Sequence, residues 1–240
     1  MPTDANLKGL RVALTGGTSG LGLALVRLLM ERGARVAFLA RGAPAVARIA
    51  EETGAYGIVG DVGRREDIYP IALQITANLD GLDALINNAS SLGPTPLALL
   101  ADTECEDLEQ ALRVNVLGPF RLTKALLGAL AASARSGRGA AVINISSDAA
   151  VNPYAGWGAY GASKAALRHL TGIWAAEARA DGISFLSLDP GDMDTPLHAL
   201  AVPASDPGTL RRPRDAAADI VAALLAHVPS AALLARAKRP

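Results

Sequence analysis

Two side chains suited to proton transfer, Tyr160 and Lys164, lie four residues apart in a segment whose apolar residues have helical spacing. At that separation both side chains share one face of a helix. A tyrosine is a poor base because its pKa is about 10, and a neighbouring ammonium group lowers that pKa by stabilising the phenolate. We therefore expect Tyr160 to exchange a proton with a substrate and Lys164 to lower its pKa. Alone, such a pair can also arise by chance.

Two serines and one asparagine are further candidates. Ser146 and Ser147 end an apolar run that begins at Ala140, and open α/β sheets bind ligands at the carboxyl ends of their strands. A serine hydroxyl there can donate to a carbonyl oxygen and orient the reacting group. Asn115 stands among Val and Leu in a long helical segment, where its amide needs buried partners. Those partners are either functional or the structural ones of a kinked helix.

A glycine-rich segment, Thr15–Gly22 (TGGTSGLG), lies where the first predicted strand ends and the first helix begins. Glycines permit a tight turn and a close approach to a pyrophosphate, which the free N–H groups and the positive end of the helix dipole would bind. The missing Cβ of Gly22 also lets the helix lie close to the sheet. The alternative is a glycine turn without a ligand. We predict that these residues bind a dinucleotide: Gly16, Thr18, Ser19, Gly20, Leu21 and Gly22.

The end of the second predicted strand favours NADP(H) over NAD(H). NAD-selective sites place an acidic side chain there for the ribose 2′-OH, and this chain has Ala40 instead. The next residue, Arg41, is a fixed cation that can pair with a 2′-phosphate. The alternative is that Arg41 is a solvated loop charge.

Apolar runs alternate with helical patterns along most of the chain, and continuous apolar strands separated by helices indicate a parallel sheet covered on both faces. The predicted fold class is therefore single-domain, doubly wound α/β over residues 1–240. Residues 192–213 contain four prolines and are predicted to form a long loop. The predicted strands are Leu10–Thr15, Arg35–Ala40, Ala55–Val59, Ala84–Asn87, Ala140–Ser146, Ile183–Leu188 and a short one near Ala232–Leu234. The predicted helices are Leu21–Glu31, Pro44–Glu52, Glu66–Leu79, Glu104–Ala134, Tyr160–Ala180 and Asp215–His227.

Composition narrows the possible partners and compartments. The chain has 23 basic and 23 acidic residues, so no global field attracts nucleic acid or an anionic membrane. Its single cysteine, Cys105, cannot form an internal disulfide, and the first residues lack the apolar stretch of a secretory signal, which together predict a cytoplasmic protein. The three histidines have no metal-ligand spacing, so no metal site is expected. Arg211 and Arg212 are expected to be a solvated helix entry.

Five motifs in this order resemble the classical short-chain dehydrogenase/reductase family. They are the Thr-Gly-x-x-x-Gly-x-Gly pattern from Thr15, Asp61-Val62, Asn87-Asn88-Ala89, Ser147 thirteen residues before Tyr160-x-x-x-Lys164, and Pro190-Gly191-x-x-x-Thr195. The resemblance selects Ser147 over Ser146 as the catalytic serine. It also implies that Asn115 holds a relay water and that Lys164 binds the nicotinamide ribose. Asp61, Val62, Asn88 and Ala89 would contact the adenosine, and Pro190, Gly191, Met193 and Thr195 would lie along the nicotinamide.

The family usually has glycine after Asn-Asn-Ala, and this chain has Ser90, for which we expect only a local adjustment. The resemblance implies a sheet order of 3-2-1-4-5-6-7. It also implies a homodimer or homotetramer, which the Ala- and Leu-rich helices at Glu104–Ala134 and Tyr160–Ala180 would form.

The implied reaction is hydride transfer between a nicotinamide and a small carbonyl or alcohol substrate. The substrate pocket is expected among Ser90–Leu97, Ala149–Trp157 and Met193–Arg212, and to be mainly apolar through Leu92, Tyr154, Trp157, Met193 and Leu197. Two alternatives are a catalytically silent NADP(H)-binding regulator and a sugar-nucleotide epimerase or dehydratase. Only about 45 residues follow Thr195, which is short for the substrate region of the latter.

Overall fold

Six strands form one parallel sheet in the computed structural model, which describes residues 7–228. The strand order is β3-β2-β1-β4-β5-β6. This confirms the predicted α/β class and the first six positions of the predicted order. The seventh predicted strand, near Ala232–Leu234, lies outside the described residues. The strands are β1 Arg11–Thr15, β2 Arg35–Ala40, β3 Tyr56–Val59, β4 Ala84–Asn87, β5 Ala140–Ile145 and β6 Ile183–Leu188.

Helices connect the strands and cover both faces of the sheet. They are α1 Gly20–Glu31, α2 Ala43–Thr53, α3 Ile68–Leu79, α4 Cys105–Leu112, α5 Gly118–Arg135, α6 Gly158–Glu177, α7 Pro196–Ala201 and α8 Pro213–His227. No helix between residues 7 and 228 is long and apolar enough to cross a membrane.

The central strands β1, β2, β4 and β5 are buried on both faces, as their apolar sequences predict, whereas only Ile58 is buried in the edge strand β3. In β1 the side chains of Val12 and Leu14 pack into one cluster with α1 and α8, while Ala13 packs into the other with α3 and α5. Successive residues of a strand point to opposite faces, so β1 contributes to two hydrophobic layers at once. All six residues of β5 are buried. The central strands therefore hold a rigid edge at which side chains can be positioned.

Two predicted elements differ from the structure. The helix predicted at Glu104–Ala134 is interrupted by a π-helical turn, Arg113–Leu117, between α4 and α5. The loop predicted at 192–213 contains the short helix α7. Its first residue is Pro196, and the Thr195 hydroxyl caps it by accepting from His198 N at 3.2 Å. A proline at the first helical position is compatible with a helix, so proline content did not reveal α7. The rest of the segment lacks regular structure apart from a 3-10 turn at Pro207–Thr209.

A buried charge lies at the opposite, amino edge of the sheet. Asp83, just before β4, has no exposed surface. Its carboxylate pairs with Arg11 and Arg138 at 2.7 Å each and also accepts from the Ser133 hydroxyl. Burial opposes ionisation, but the hydrogen bonds from Arg138, Arg11 and Ser133 hold the pKa of Asp83 well below its usual range. This network ties β1 and β4 to the segment that leads into β5.

Candidate active site

The proton-transfer candidates meet at the carboxyl edge of the sheet, between the end of β5 and the start of α6. Tyr160 is 7% exposed, and its phenol is within hydrogen-bonding reach of the Ser147 and Ser90 hydroxyls. The Trp157 ring packs edge-on against the Tyr160 ring, with centroids 5.7 Å apart. Tyr160 and Lys164 share one face of α6, as their spacing predicts, and the Lys164 Nζ lies 5.5 Å from the Tyr160 ring centroid.

Lys164 is held in place by the main chain of β5. Its Nζ donates to the carbonyl oxygen of Ile145 at 2.8 Å, and the residue is 2% exposed. Burial lowers the pKa of Lys164 to about 8, which Asp189 partly opposes. At pH 7 the amine therefore still carries its proton.

The chain's own residues raise the pKa of Tyr160 to about 12 rather than lowering it as we expected. Burial is the largest cause, because it disfavours the phenolate, and the carboxylates of Asp189 and Asp148 act in the same direction. Hydrogen bonds from Ser147 and Ser90 oppose them. The ammonium group of Lys164, on which the sequence argument relied, is not among the main causes. Burial therefore decides the direction of the pKa shift, and Tyr160 is a phenol at neutral pH.

Ser147 belongs to a short polar network. Its hydroxyl donates to Asp148 Oδ1 at 3.1 Å, and the other carboxylate oxygen of Asp148 accepts from the Tyr154 hydroxyl at 2.7 Å. Ser147 Oγ also accepts from Ala149 N. Ser146 is buried, and its N–H donates to Leu188 O at the adjacent strand, consistent with a structural residue.

Asn115 lies in the π-helical turn, where it is 1% exposed. Its Nδ2 donates to Ser91 O at 2.7 Å and to Ser163 Oγ at 2.8 Å. Its Oδ1 accepts from Ser91 N at 2.8 Å and from the Ser90 hydroxyl at 3.2 Å. All four hydrogen-bonding positions of the amide are thus occupied by protein groups. A relay water would have to bind to another atom of this residue.

The glycine turn has the shape expected for a pyrophosphate. A Cβ at Gly22 would lie 1.9 Å from Gly16 O, so only glycine lets α1 begin this close to the turn. The N-terminus of α1 has no side-chain cap from Ser19 and no acidic residue in its first turn. Its N–H groups are therefore available to an anion. A Cβ at Gly20 would lie 3.1 Å from Thr195 Cγ2, which shows that the Pro190–Thr195 segment stands over this turn.

Asn88 and Ala89 connect the turn to β4. Thr15 Oγ1 accepts from the N–H groups of Asn88 and Ala89 at 2.9 Å each. The Asn88 amide donates to Thr15 O and Gly16 O. These two predicted cofactor residues therefore fix the glycine turn in place, a structural role that the motif alone did not reveal.

The other predicted cofactor residues surround the same edge. Arg41 follows β2 and is exposed, and no hydrogen bond or ion pair of its guanidinium is found within residues 7–228. Asp61 Oδ1 accepts from Gly63 N in a tight turn, and Val62 is buried against Gly118 of α5. The Val62 side chain thus packs into the core at this edge, and its contact with the adenosine stays a prediction.

The segment after β6 is fastened by Arg211, whose side chain is exposed to solvent, as expected, but also makes bonds that the sequence did not reveal. Arg211 Nη1 donates to Pro190 O at 2.8 Å, and its Nη2 pairs with Asp219 at 2.6 Å. Backbone bonds from Arg211 N to Asp192 O and from Asp194 N to Arg211 O close the base of the 192–213 segment. Met193 lies in this bridge and packs against the main core. Arg211 is therefore a structural residue of the loop.

A small apolar cluster lies beside Tyr160 and brings together the three segments predicted to form a substrate pocket. Leu92 and Leu97 come from the first segment, Ala149 and Trp157 from the second, and Leu197 and Ala201 from the third. Two further residues predicted to line the pocket, Met193 and Tyr154, are not part of this cluster, and their role stays a prediction. Met193 packs against the main core, and Tyr154 is bonded to Asp148.

One buried polar network was missed by the sequence analysis. Asn87 of β4 and Asn144 of β5 face each other in register, and Asn87 Nδ2 donates to Asn144 Oδ1 at 2.8 Å. Asn144 in turn donates to Thr171 of α6, and Asn87 to Thr123 of α5. An asparagine near the end of each of two adjacent buried strands is the signal that could have revealed it. The network ties the central strands to the two helices that hold Asn115 and Tyr160 in place.

No group of three or more potential metal ligands occurs within residues 7–228.

Comparison with known proteins gives consistent matches over most of the chain. Residues 11–205 match the family model described as short chain dehydrogenase. L-fucose dehydrogenase from Mus musculus is 32% identical over 221 residues, which cover 89% of this chain and 78% of the relative. A solved structure from Shigella flexneri in complex with NADP has a TM-score of 0.78 at 28% identity, with 88% of this chain and 89% of that chain covered. A 3-ketoacyl-(acyl-carrier-protein) reductase from Brucella melitensis in complex with NADH has a TM-score of 0.83 at 25% identity, with 95% and 94% covered.

Proposed function

The chain belongs to the short-chain dehydrogenase family and is an oxidoreductase with a nicotinamide cofactor, and we propose that it uses NADP(H) to interconvert a mainly apolar ketone and its secondary alcohol. The observation that carries the proposal is the arrangement of Ser147, Tyr160 and Lys164 at the carboxyl edge of the sheet. A catalytically silent protein would have no chemical reason to keep these three residues together.

The cofactor would lie across the glycine turn and the ends of the strands. The uncapped N-terminus of α1 and the space left by the missing Cβ of Gly22 fit a pyrophosphate. Asp61 and Val62 would lie at its adenosine end, and the Pro190–Thr195 segment at its nicotinamide end. When bound, the nicotinamide supplies or accepts the hydride.

The proposed preference for NADP(H) rests on Arg41. Its guanidinium is exposed at the end of β2, with no partner found within the described residues. A cation in this place can form a charge-assisted pair with the 2′-phosphate of NADP(H), whereas NAD(H) offers it only a hydroxyl.

The chain's own residues supply the proton chemistry. Tyr160 is protonated at neutral pH and can donate its proton to a carbonyl oxygen during reduction. Ser147 can turn its hydroxyl from Asp148 towards the same oxygen and stabilise the charge that develops there. The Lys164 ammonium, held on Ile145 O, stabilises the phenolate that remains.

The apolar cluster around Leu92, Trp157 and Leu197 supports an apolar substrate, because it lies directly beside the Tyr160 ring. We also propose that the chain forms a homodimer or homotetramer through α5 and α6, where Phe120 and Ile173 are exposed. With a single cysteine, Cys105, the chain suits a reducing compartment such as the cytoplasm.

The test is a reductase assay with NADPH or NADH and a panel of apolar ketones, diketones and aryl aldehydes, in which loss of cofactor absorbance is followed. Tyr160→Phe should reduce kcat by about 10²- to 10⁴-fold, because it removes the proton donor. The dissociation constant for NADPH, measured by fluorescence, should stay within about twofold, since the aromatic ring remains. Absence of nucleotide binding in the wild-type protein would refute the proposal.

The same assay tests the cofactor preference. Arg41→Ala should raise KM for NADPH by about 10- to 150-fold, which corresponds to the loss of a charge-assisted hydrogen bond of about 1.5–3 kcal/mol. KM for NADH should change little. The matched control is Arg48→Ala, which removes an exposed arginine of α2. Equal effects of Arg41→Ala on the two cofactors would contradict the role given to Arg41.

A further inference from the structure

Position 90 departs from the pattern of the family, which usually has glycine there. Ser90 directly follows Asn88 and Ala89, whose N–H groups are fixed by Thr15. Its backbone position is therefore set by the same bonds that hold the glycine turn. The added hydroxyl is half-buried. It lies between two residues of the candidate active site, Asn115 and Tyr160.

The bond from Ser90 to Asn115 is the weakest of the four that the amide makes. Ser90 Oγ lies 3.2 Å from Asn115 Oδ1, whereas the other three bonds, to Ser91 and Ser163, are 2.7–2.8 Å long. Those three bonds alone fix the orientation of the amide. The Ser90 hydroxyl can consequently leave Asn115 without releasing it.

We propose that Ser90 is a switching hydrogen-bond partner of Tyr160. While Tyr160 is a phenol, Ser90 donates to Asn115 Oδ1 and accepts from the Tyr160 hydroxyl. When Tyr160 is a phenolate, the Ser90 hydroxyl rotates and donates to the phenolate oxygen. This inference rests on the proposed reaction, in which Tyr160 passes through both states.

The hydrogen bonds that Ser90 loses and gains on rotation decide whether it favours the phenol or the phenolate form of Tyr160. In reduction, the substrate carbon gains a hydride and its carbonyl oxygen gains the Tyr160 proton. A C–H and an O–H bond form, the carbonyl is reduced, the nicotinamide is oxidised, and Tyr160 is left as a phenolate. Once its proton has gone, Tyr160 can only accept, so Ser90 gives up its long bond to Asn115. The neutral bond between Tyr160 and Ser90 reverses into one donated to an anion, which is about twice as strong as a neutral bond. Ser90 therefore favours the phenolate.

The charged groups around Tyr160 come from three elements. Lys164 lies on α6, Asp148 follows β5, and Asp189 follows β6. Neither carboxylate is bonded to Ser90, and Lys164 is bonded to Ile145 O. Replacing Ser90 thus removes a donor to the phenolate and leaves these charges in place.

The experiment measures the ionisation of Tyr160 directly. The chain has only four tyrosines, so labelling their Cζ carbons with ¹³C gives a simple NMR spectrum in which Tyr160→Phe identifies the Tyr160 signal. Each protein is titrated to pH 11.5, free and with saturating NADP⁺. At pH 11.5 a tyrosine whose pKa is about 12 is about one quarter ionised. Ser90→Ala and Ser90→Gly should both lower this ionised fraction by about three- to eightfold, which corresponds to a pKa about 0.5–1 unit higher, since a hydrogen bond to the charged form is lost. The control is Ser136→Ala, which removes an exposed hydroxyl at the end of α5 and should not change it.

Two variants guard against a folding defect, because Ser90→Ala keeps the Cβ and Ser90→Gly restores the residue usual in the family. Curves identical to wild type, including no ionisation of Tyr160 up to pH 11.5 in any protein, would overturn the proposal. A downward shift would overturn it too, since Ser90 would then favour the phenol. The same samples separate the two hypotheses. Failure of NADP⁺ to bind would refute the proposed function, whereas binding with an unmoved Tyr160 titration would refute only the role of Ser90.

Discussion

Asp148 is the residue through which the charge at the active site can be adjusted without removing a reacting group. Its carboxylate accepts from Ser147 and Tyr154 and, with Asp189, raises the pKa of Tyr160. Asp189 is the less suitable target because its charge also raises the pKa of Lys164. Neutralising Asp148 acts on the tyrosine and leaves the lysine unchanged.

We predict that Asp148→Asn lowers the pKa of Tyr160. Alcohol oxidation requires the phenolate, so the pH below which oxidation slows should fall by about half a unit, as expected for the loss of one partly screened charge. Reduction requires the phenol, so the pH above which it slows should fall equally. The measurement is kcat/KM against pH in both directions. Asp181→Asn, an exposed carboxylate just before β6 at the opposite edge, is the control, and a shift of the profile to higher pH would contradict the argument.

At the residue scale, the sequence predicted which side chains are neighbours within one helix. It did not predict which side chains from distant segments are in contact. The four-residue separation predicted that Tyr160 and Lys164 share a face of α6, because helix geometry alone decides it. The role of Ser90 depends on Asn115 and Tyr160, which are 25 and 70 positions away, and no local pattern contains that information. The pKa of Tyr160 was expected to fall because the argument counted the charge of Lys164 and could not count burial.

At the scale of elements, the spacing of apolar residues predicted where helices occur, but it did not predict irregular turns within them. The segment Glu104–Ala134 was predicted as one helix because its apolar residues repeat throughout. Its π-helical turn is stabilised by the bonds of Asn115 to Ser91 and Ser163, which lie in other elements. The helix period could not reveal these tertiary bonds.

The prediction of a homodimer or homotetramer rests on the outer surfaces of α5 and α6. Phe120 is 37% exposed and Ile173 is 42% exposed, and the Phe120 ring contacts Trp174, which stacks on Phe185 of β6. These contacts place apolar side chains from two helices on one surface. Exposed apolar side chains on two helices in contact favour association.

We predict that Ile173→Glu shifts the protein towards the monomer, because a carboxylate would be buried without a partner in the interface. Light scattering on the gel-filtration peak gives the mass, and half or a quarter of the wild-type mass is expected. Leu73→Glu is the matched control, since Leu73 is 70% exposed on α3 and lies outside this surface. A wild-type protein that is already monomeric would contradict the prediction.

For the whole molecule, the alternation of apolar strands and helices predicted the class of fold, and the family resemblance supplied the strand order. Alternation alone leaves the order open, because parallel strands with helical crossovers can be arranged in several ways. The structure shows that the two edges of the sheet hold different kinds of residue. The carboxyl edge positions Ser147, Tyr160 and Lys164, and the amino edge carries the buried ion pairs of Asp83. An isolated aspartate in the sequence gave no sign that two arginines, one of them 72 positions away, would converge on it.

Because the two edges are separate, stability can be changed at Asp83 without changing the active site. Asp83→Asn should lower the free energy of unfolding at pH 7 by about 3–5 kcal/mol, since it leaves Arg11 and Arg138 without their buried counter-charge. The native pKa of Asp83 is depressed, so its stabilising contribution is present above the unfolded pKa of about 3.9 and is lost as the pH falls. The difference between wild type and variant should therefore be largest at pH 7 and shrink below pH 4. Urea unfolding at both pH values measures this difference.

Glu31→Gln is the control, because it removes only an exposed ion pair with Arg214 and should lower the free energy of unfolding by less than about 1 kcal/mol. Activity per folded molecule should be unchanged in both variants, and a pH-independent loss of stability in Asp83→Asn would show that packing, rather than charge, makes this edge stable.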